Sequence, residues 1–189
     1  MAAANSLTVA RIFLVPMLVV VLLTKFNSWA PFELLAAGIF GIASLTDWAD
    51  GYLARRRNQV TGFGQWMDPL ADKLLVVSSF IALGFMGKVP RPLMIVVITR
   101  DVVILGGFLL TAAVVGKSME MAPSLSGKLT TFTQLLSVTL VLIDLAQWWD
   151  VPNHVLTGVF IATACASIVS GSGYVLRGMK WYAASGPEA

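Results

Sequence analysis

Six long apolar stretches, parted by short polar connections, set the pattern of this chain. Hydropathy places them at 7–23, 32–54, 67–86, 92–115, 129–145 and 155–175. Each is near the roughly 20 residues that carry a helix across a bilayer. Pro31, Pro90, Pro92 and Pro152 fall near the starts of stretches, and Gly87 and Gly116 near their ends. Proline early and glycine late is how helices are punctuated. The pattern predicts an all-α integral membrane protein, a bundle of six transmembrane helices forming one membrane domain over residues 1–189.

Composition sharpens that picture. The chain is 57% hydrophobic and 12% charged, where soluble domains average about 25% charged. Little sequence is left outside the stretches, so a functional site has to be built from helices and their ends. The amino-terminal stretch lacks a cleavable-signal pattern and reads as a retained span. The one cysteine, Cys165, allows no internal disulfide and is expected to be a small core residue. The net charge of +3 is small, and no nucleic-acid partner is expected.

The basic residues divide unevenly between alternate connections. Arg11, Arg55, Arg56, Arg57, Lys117, Lys128, Arg177 and Lys180 fall on one side, and Lys25, Lys88 and Arg91 on the other. Basic residues gather on the cytoplasmic side, so both termini are expected there, in a cell (inner) membrane. Trp29, Trp148 and Trp149 are expected at the outer interface as belt aromatics, with His154 a solvated loop residue and Asp144 and Asp150 helix-end charges beside them.

Against this background, four aspartates lie within the window 47–72. A carboxylate near a bilayer centre costs about 2.5–3.5 kcal/mol on insertion scales, so four together call for a cationic partner. Asp47 and Asp50 are three apart, Asp68 and Asp72 four apart, and each spacing puts a pair on one helix face. The connection between the pairs is short, which makes their helices antiparallel neighbours. Oxygen-only donors select Mg²⁺ or Mn²⁺, and four carboxylates balance two such ions. Two metals side by side suit a displacement at phosphorus. Gly51, Ala54, Gly62 and Gly64 would let a ligand approach the backbone, and Arg55 offers a fork for phosphate oxygens. Asp68, just before Pro69, also fits a helix N-cap, though capping leaves the other three aspartates unexplained.

Position for position, Asp47-x2-Asp50-Gly51-x2-Ala54-Arg55-x8-Gly64-x3-Asp68-x3-Asp72 resembles the signature of the CDP-alcohol phosphotransferases. The resemblance extends over the whole chain, and Asn5-Ser6-Leu7-Thr8-x2-Arg11 is similar to the element before that family's first span. It implies a reaction in which a CDP-linked lipid gives its phosphatidyl group to an alcohol and CMP is released. Asp47, Asp50, Asp68 and Asp72 would bind the metal, and Asp72 would also act as general base. Thr8, Gly51, Ala54, Arg55 and Gly64 would shape the CDP-lipid pocket. The resemblance further implies a homodimer working among membrane lipids.

The signature leaves the acceptor open. Asp68-Pro69-Leu70-Ala71-Asp72-Lys73 is similar to family members that act on glycerol 3-phosphate, and to a branch that uses phosphatidylglycerol and forms cardiolipin. Arg100 lies inside the fourth stretch, where an arginine is a functional candidate by default. With Lys73 and Lys128 it would clamp the phosphate of glycerol 3-phosphate. Asp101 sits about 100° round the helix from Arg100 and is expected to meet a different contact. Arg100-Asp101, where Arg-Glu is common, and Ser124-Leu125-Ser126-Gly127-Lys128 keep phosphatidylglycerol open as the acceptor. A cation transporter would place its carboxylates at mid-membrane, away from this scaffold. A Ser/His/Asp hydrolase would need a histidine at the aspartates, and His154 is not one.

Overall fold

Every apolar stretch contains a helix. In the computed structural model, residues 2–24, 33–44, 62–115 and 125–184 are described, with side chains over 13–24, 33–44, 73–107 and 125–179. The helices are α1 (Ala2–Leu23), α2 (Glu33–Ser44), α3 (Gly62–Phe85), α4 (Arg91–Val115), α5 (Leu125–Leu145) and α6 (Asn153–Ala184). No strand occurs among the described residues. Helix α6 runs nine residues past the expected end at 175, and α3 begins five residues before the expected 67.

Two tight connections turn the chain back on itself. After α3, Gly87 adopts φ +72, and the amides of Lys88 and Val89 donate to the carbonyl of Leu83. That left-handed residue is the usual device for closing a helix end, and glycine adopts it without a Cβ clash. After α5 the same task falls to Gln147, at φ 55. Trp148 N–H donates to Ile143 O, and Val151 N–H to the Asp144 carboxylate at 3.2 Å. Each connection ends in Val-Pro with the valine buried, Val89 in one and Val151 in the other. The proline carbonyl then accepts the first bond of the next helix, from Met94 N–H after Pro90 and from Leu156 N–H after Pro152.

Helix α3 is central: it packs on α1, α4 and α5, while α6 packs on α4 and α5. Toward the two tight turns the interior is apolar, with Leu18, Leu22, Phe40, Phe80, Leu83, Val97, Val138 and Leu142 in one cluster. Toward the other end it is polar, with Arg100, Asp101, Thr130, Gln134, Ser137, Thr163, Ser167 and Ser170 buried. The outside reverses this. Phe13, Met17 and Val20 of α1 and Ile161, Ile168, Val169, Leu176 and Met179 of α6 are exposed. Large outward apolar faces around a partly polar interior suit a lipid surround better than water. Leu125–Leu145 and Asn153–Met179 are each long and apolar enough to cross a membrane.

Three expectations are corrected. Cys165 is exposed. The buried stripe of α6 follows Thr163, Ser167 and Ser170, and Cys165 lies round the helix from it. His154 is exposed as expected but belongs to the first turn of α6, because Pro152 starts the helix before it. Asp68 is no N-cap: α3 begins at Gly62 and continues through Pro69.

Candidate active site

Helix α3 carries the second half of the aspartate window. Asp68 and Asp72 both lie on it, four residues and so about 6 Å of axial rise apart. Gly64 is in its first turn, and Thr8 lies on α1, the helix packed against α3. Asp47, Asp50, Gly51, Ala54 and Arg55 fall outside the described residues. Among those described, no three acidic, cysteine or histidine side chains come together as a metal site.

One residue beyond Asp72, the described side chains begin with Lys73, and here the structure gathers charge. Lys73 Nζ donates to Asp101 Oδ1 at 2.8 Å, which joins α3 to α4. Arg100 Nη1 donates to the same oxygen at 2.5 Å. Arg100 Nη2 reaches across to Ser170 Oγ of α6 at 2.8 Å. The Asp101 side chain is 2% exposed, that of Arg100 6% and that of Lys73 25%. The arginine stem crosses close to Gly171, where a Cβ would stand in van der Waals contact at 3.4 Å from Arg100 Cγ. The expectation that Asp101 faces away from Arg100 is therefore corrected. The backbone directions do diverge, but a long arginine stem folds back over one residue, and burial leaves Asp101 as its available anion. Two of the three expected clamp residues, Lys73 and Arg100, are thus brought together. Lys128 stands exposed at the start of α5, outside this cluster.

Continuing along the α5–α6 contact, the buried polar groups are neutral. Thr130 Oγ1 donates to Ala166 O at 2.9 Å, and Thr163 Oγ1 to Thr133 O at 3.0 Å. Ser137 Oγ and Thr163 Oγ1 lie 2.8 Å apart. Such hydroxyl-to-carbonyl bonds let two helices approach closely and join them in lipid. A separate apolar cavity of about 590 Å³ lies between α2 and α5, lined by Leu34, Gly38, Gly41, Leu142 and Trp148. It sits on the apolar side of the bundle, away from the charged cluster.

Comparison with known proteins identifies the family to which the chain with this aspartate-bearing helix belongs. The pattern of the CDP-alcohol phosphatidyltransferases matches residues 1–169. The chain belongs to this family. It is similar to the CDP-diacylglycerol--glycerol-3-phosphate 3-phosphatidyltransferase of Bacillus subtilis (strain 168), at 36% identity over 177 residues. That match covers 82% of this chain and 90% of the relative. A probable phosphatidylglycerophosphate synthase of Mycobacterium tuberculosis (strain ATCC 25618 / H37Rv) is 34% identical over 94% of this chain and 81% of its own. A further CDP-diacylglycerol--glycerol-3-phosphate 3-phosphatidyltransferase, from Salmonella typhimurium (strain LT2), is 38% identical over 72% of this chain and 74% of its own. The chain is therefore an enzyme of phospholipid synthesis, a CDP-alcohol phosphatidyltransferase.

For such a phosphatidyltransferase, sequence reading had missed Ser170 and the part played by Asp101. A signal for Asp101 was present. In an apolar chain every in-span cation needs an anion, and Asp101 is the acid nearest to Arg100. Nothing in the sequence singled out Ser170 among the small residues of α6.

Proposed function

We propose that this phosphatidyltransferase moves the phosphatidyl group of CDP-diacylglycerol to glycerol 3-phosphate, giving phosphatidylglycerophosphate and CMP. The observation that carries the choice of acceptor is the pair Lys73 and Arg100, gathered round one carboxylate beside the aspartate helix. Among the described side chains, two cations and one anion leave a residual positive charge in a nearly buried place. A phosphate monoester, at about −1.5 to −2, is suited to cancel it, with Lys128 adding charge at the entrance. The named relatives support the same acceptor.

Asp47, Asp50, Asp68 and Asp72 are an oxygen-only donor set suited to Mg²⁺ or Mn²⁺, with room in their charge for two ions. Bound metal would neutralise the pyrophosphate and stabilise charge on the leaving CMP. Asp72 takes the proton of the acceptor hydroxyl as that oxygen forms its bond to the phosphorus bearing diacylglycerol. The bond from that phosphorus to CMP breaks in the same displacement. Thr8, Gly51, Ala54, Arg55 and Gly64 hold the cytidine diphosphate. The reading places all six helices in the membrane, with the aspartates and both termini at the cytoplasmic face and two copies forming a dimer. Outward apolar faces and a partly polar interior support the membrane placement.

The test offers purified enzyme CDP-diacylglycerol and Mg²⁺ with one acceptor at a time: glycerol 3-phosphate, phosphatidylglycerol, inositol phosphate or serine. CMP release with glycerol 3-phosphate alone is the expected result. Release only with phosphatidylglycerol would replace this reading with cardiolipin synthesis.

A further inference from the structure

We propose that Asp101 is a stand-in for the acceptor's phosphate. It holds Lys73 and Arg100 in the resting enzyme and yields Lys73 when a phosphate-bearing acceptor arrives, so that the placement of Asp72 depends on that phosphate. This deepens the acceptor reading above and rests on it.

A single oxygen, Oδ1, takes both cations, at 2.5 and 2.8 Å, as one phosphate oxygen would. The second oxygen, Oδ2, and the Arg100 Nε–H are both buried and find no partner among the described residues. A pair built only to neutralise Arg100 would satisfy these groups, because a buried donor or acceptor left without a partner keeps its full desolvation cost. The unused donor and the net charge of one carboxylate against two cations both suit an additional anion.

The two cations are not equally free. Arg100 is pinned by Ser170 Oγ at 2.8 Å, and its stem lies against Gly171. Lys73 has Asp101 as its one described partner, is the most exposed of the three, and ends a flexible stem. Lys73 is therefore the group that moves to the arriving phosphate, while Arg100 stays and offers Nε. Lys73 also follows Asp72 directly on α3, so its change of partner is felt at the base. An acceptor without phosphate leaves Lys73 on Asp101. Asp101 is in this sense a positioning residue, and it selects for phosphorylated acceptors.

The experiment measures CMP release against glycerol 3-phosphate, and its inhibition by inorganic phosphate, for the wild type and Asp101→Asn with CDP-diacylglycerol and Mg²⁺. Removing the competing anion is expected to lower both the KM for glycerol 3-phosphate and the inhibition constant for phosphate by about tenfold. The variant's kcat is expected to fall, because Lys73 loses its resting anchor. A KM and inhibition constant that stay the same or rise would make Asp101 a simple counter-ion and overturn the proposal. A second measurement covers poor folding of that variant. Inorganic phosphate is expected to raise the thermal midpoint of the wild type and to lose that effect in Lys73→Met. A shift of equal size in Lys73→Met would overturn the exchange. A wild type that releases no CMP with glycerol 3-phosphate would remove the acceptor reading, and the phosphate shift in the midpoint would then decide the role of Asp101 alone.

Discussion

Helix α6 passes two buried polar regions, and they are built on different principles. Near Ser170 it meets Arg100, Asp101 and Lys73, where among the described residues charges are unequal in number and two polar atoms stay unpaired. A few turns away, Thr163 meets Thr133 and Ser137, where neutral hydroxyls find backbone carbonyls and each other. In the second region the hydroxyls of Thr133, Ser137 and Thr163 are satisfied without any ligand, and their bonds serve to hold α5 on α6, while Gln134 and Ser167 Oγ beside them have no partner among the described residues. The first is incomplete, and it borders the aspartate helix. Unbalanced charge, more than polarity, separates the place proposed for substrate from a place where helices are joined. Gln134 tests this rule, because it lies in the hydroxyl region yet neither of its amide atoms has a partner among the described residues.

The sharpest way to break the comparison is at the charged end. Asp72→Asn should reduce CMP release by about 10²- to 10⁴-fold, the usual contribution of a general base, with CDP-lipid binding retained. Full turnover in that variant would remove Asp72 as base. Next in size, Arg100→Ala removes a charged hydrogen-bond partner worth about 1.5–3 kcal/mol. The KM for glycerol 3-phosphate should rise by about ten- to a hundredfold. An unchanged KM would return Arg100 to a structural role.

At the hydroxyl end the effects should be small and confined to stability. Thr163→Val keeps the shape and removes the bonds to Thr133 and Ser137. It should cost about 0.6–1 kcal/mol in a detergent unfolding assay, with kcat and KM unchanged. A large kinetic effect would erase the distinction between the two regions. Smallest, and opposite in sign, Gln134→Leu should raise stability by up to about 1 kcal/mol, because it removes a buried amide without partners. A loss of stability there would mean that Gln134 is engaged, and that this region too is built for a ligand.

Much of this was legible without coordinates. The six helices follow from lengths of apolar sequence, and the turns from Gly87, Pro90 and Pro152. Other features were not. Gln147 takes a left-handed conformation that its residue type does not announce, because the packing of α5 against α6 requires a turn there. The early start of α3 was hidden because Pro69 follows Asp68 like a helix start. Cys165 was misplaced because a single small residue carries no signal of which helix face it is on.

The sequence by itself determined the family and the chemistry of the donors, because eight-residue gaps and one-turn spacings are local properties of the chain. It also determined where apolar helices lie, since hydropathy sums over consecutive residues. Only the tertiary structure decided which charges meet. Arg100, Asp101, Lys73 and Ser170 come from three helices, and their pairing depends on how those helices pack. A buried charge must take whatever partner the fold brings within about 3 Å, and no spacing along the chain states which one that will be.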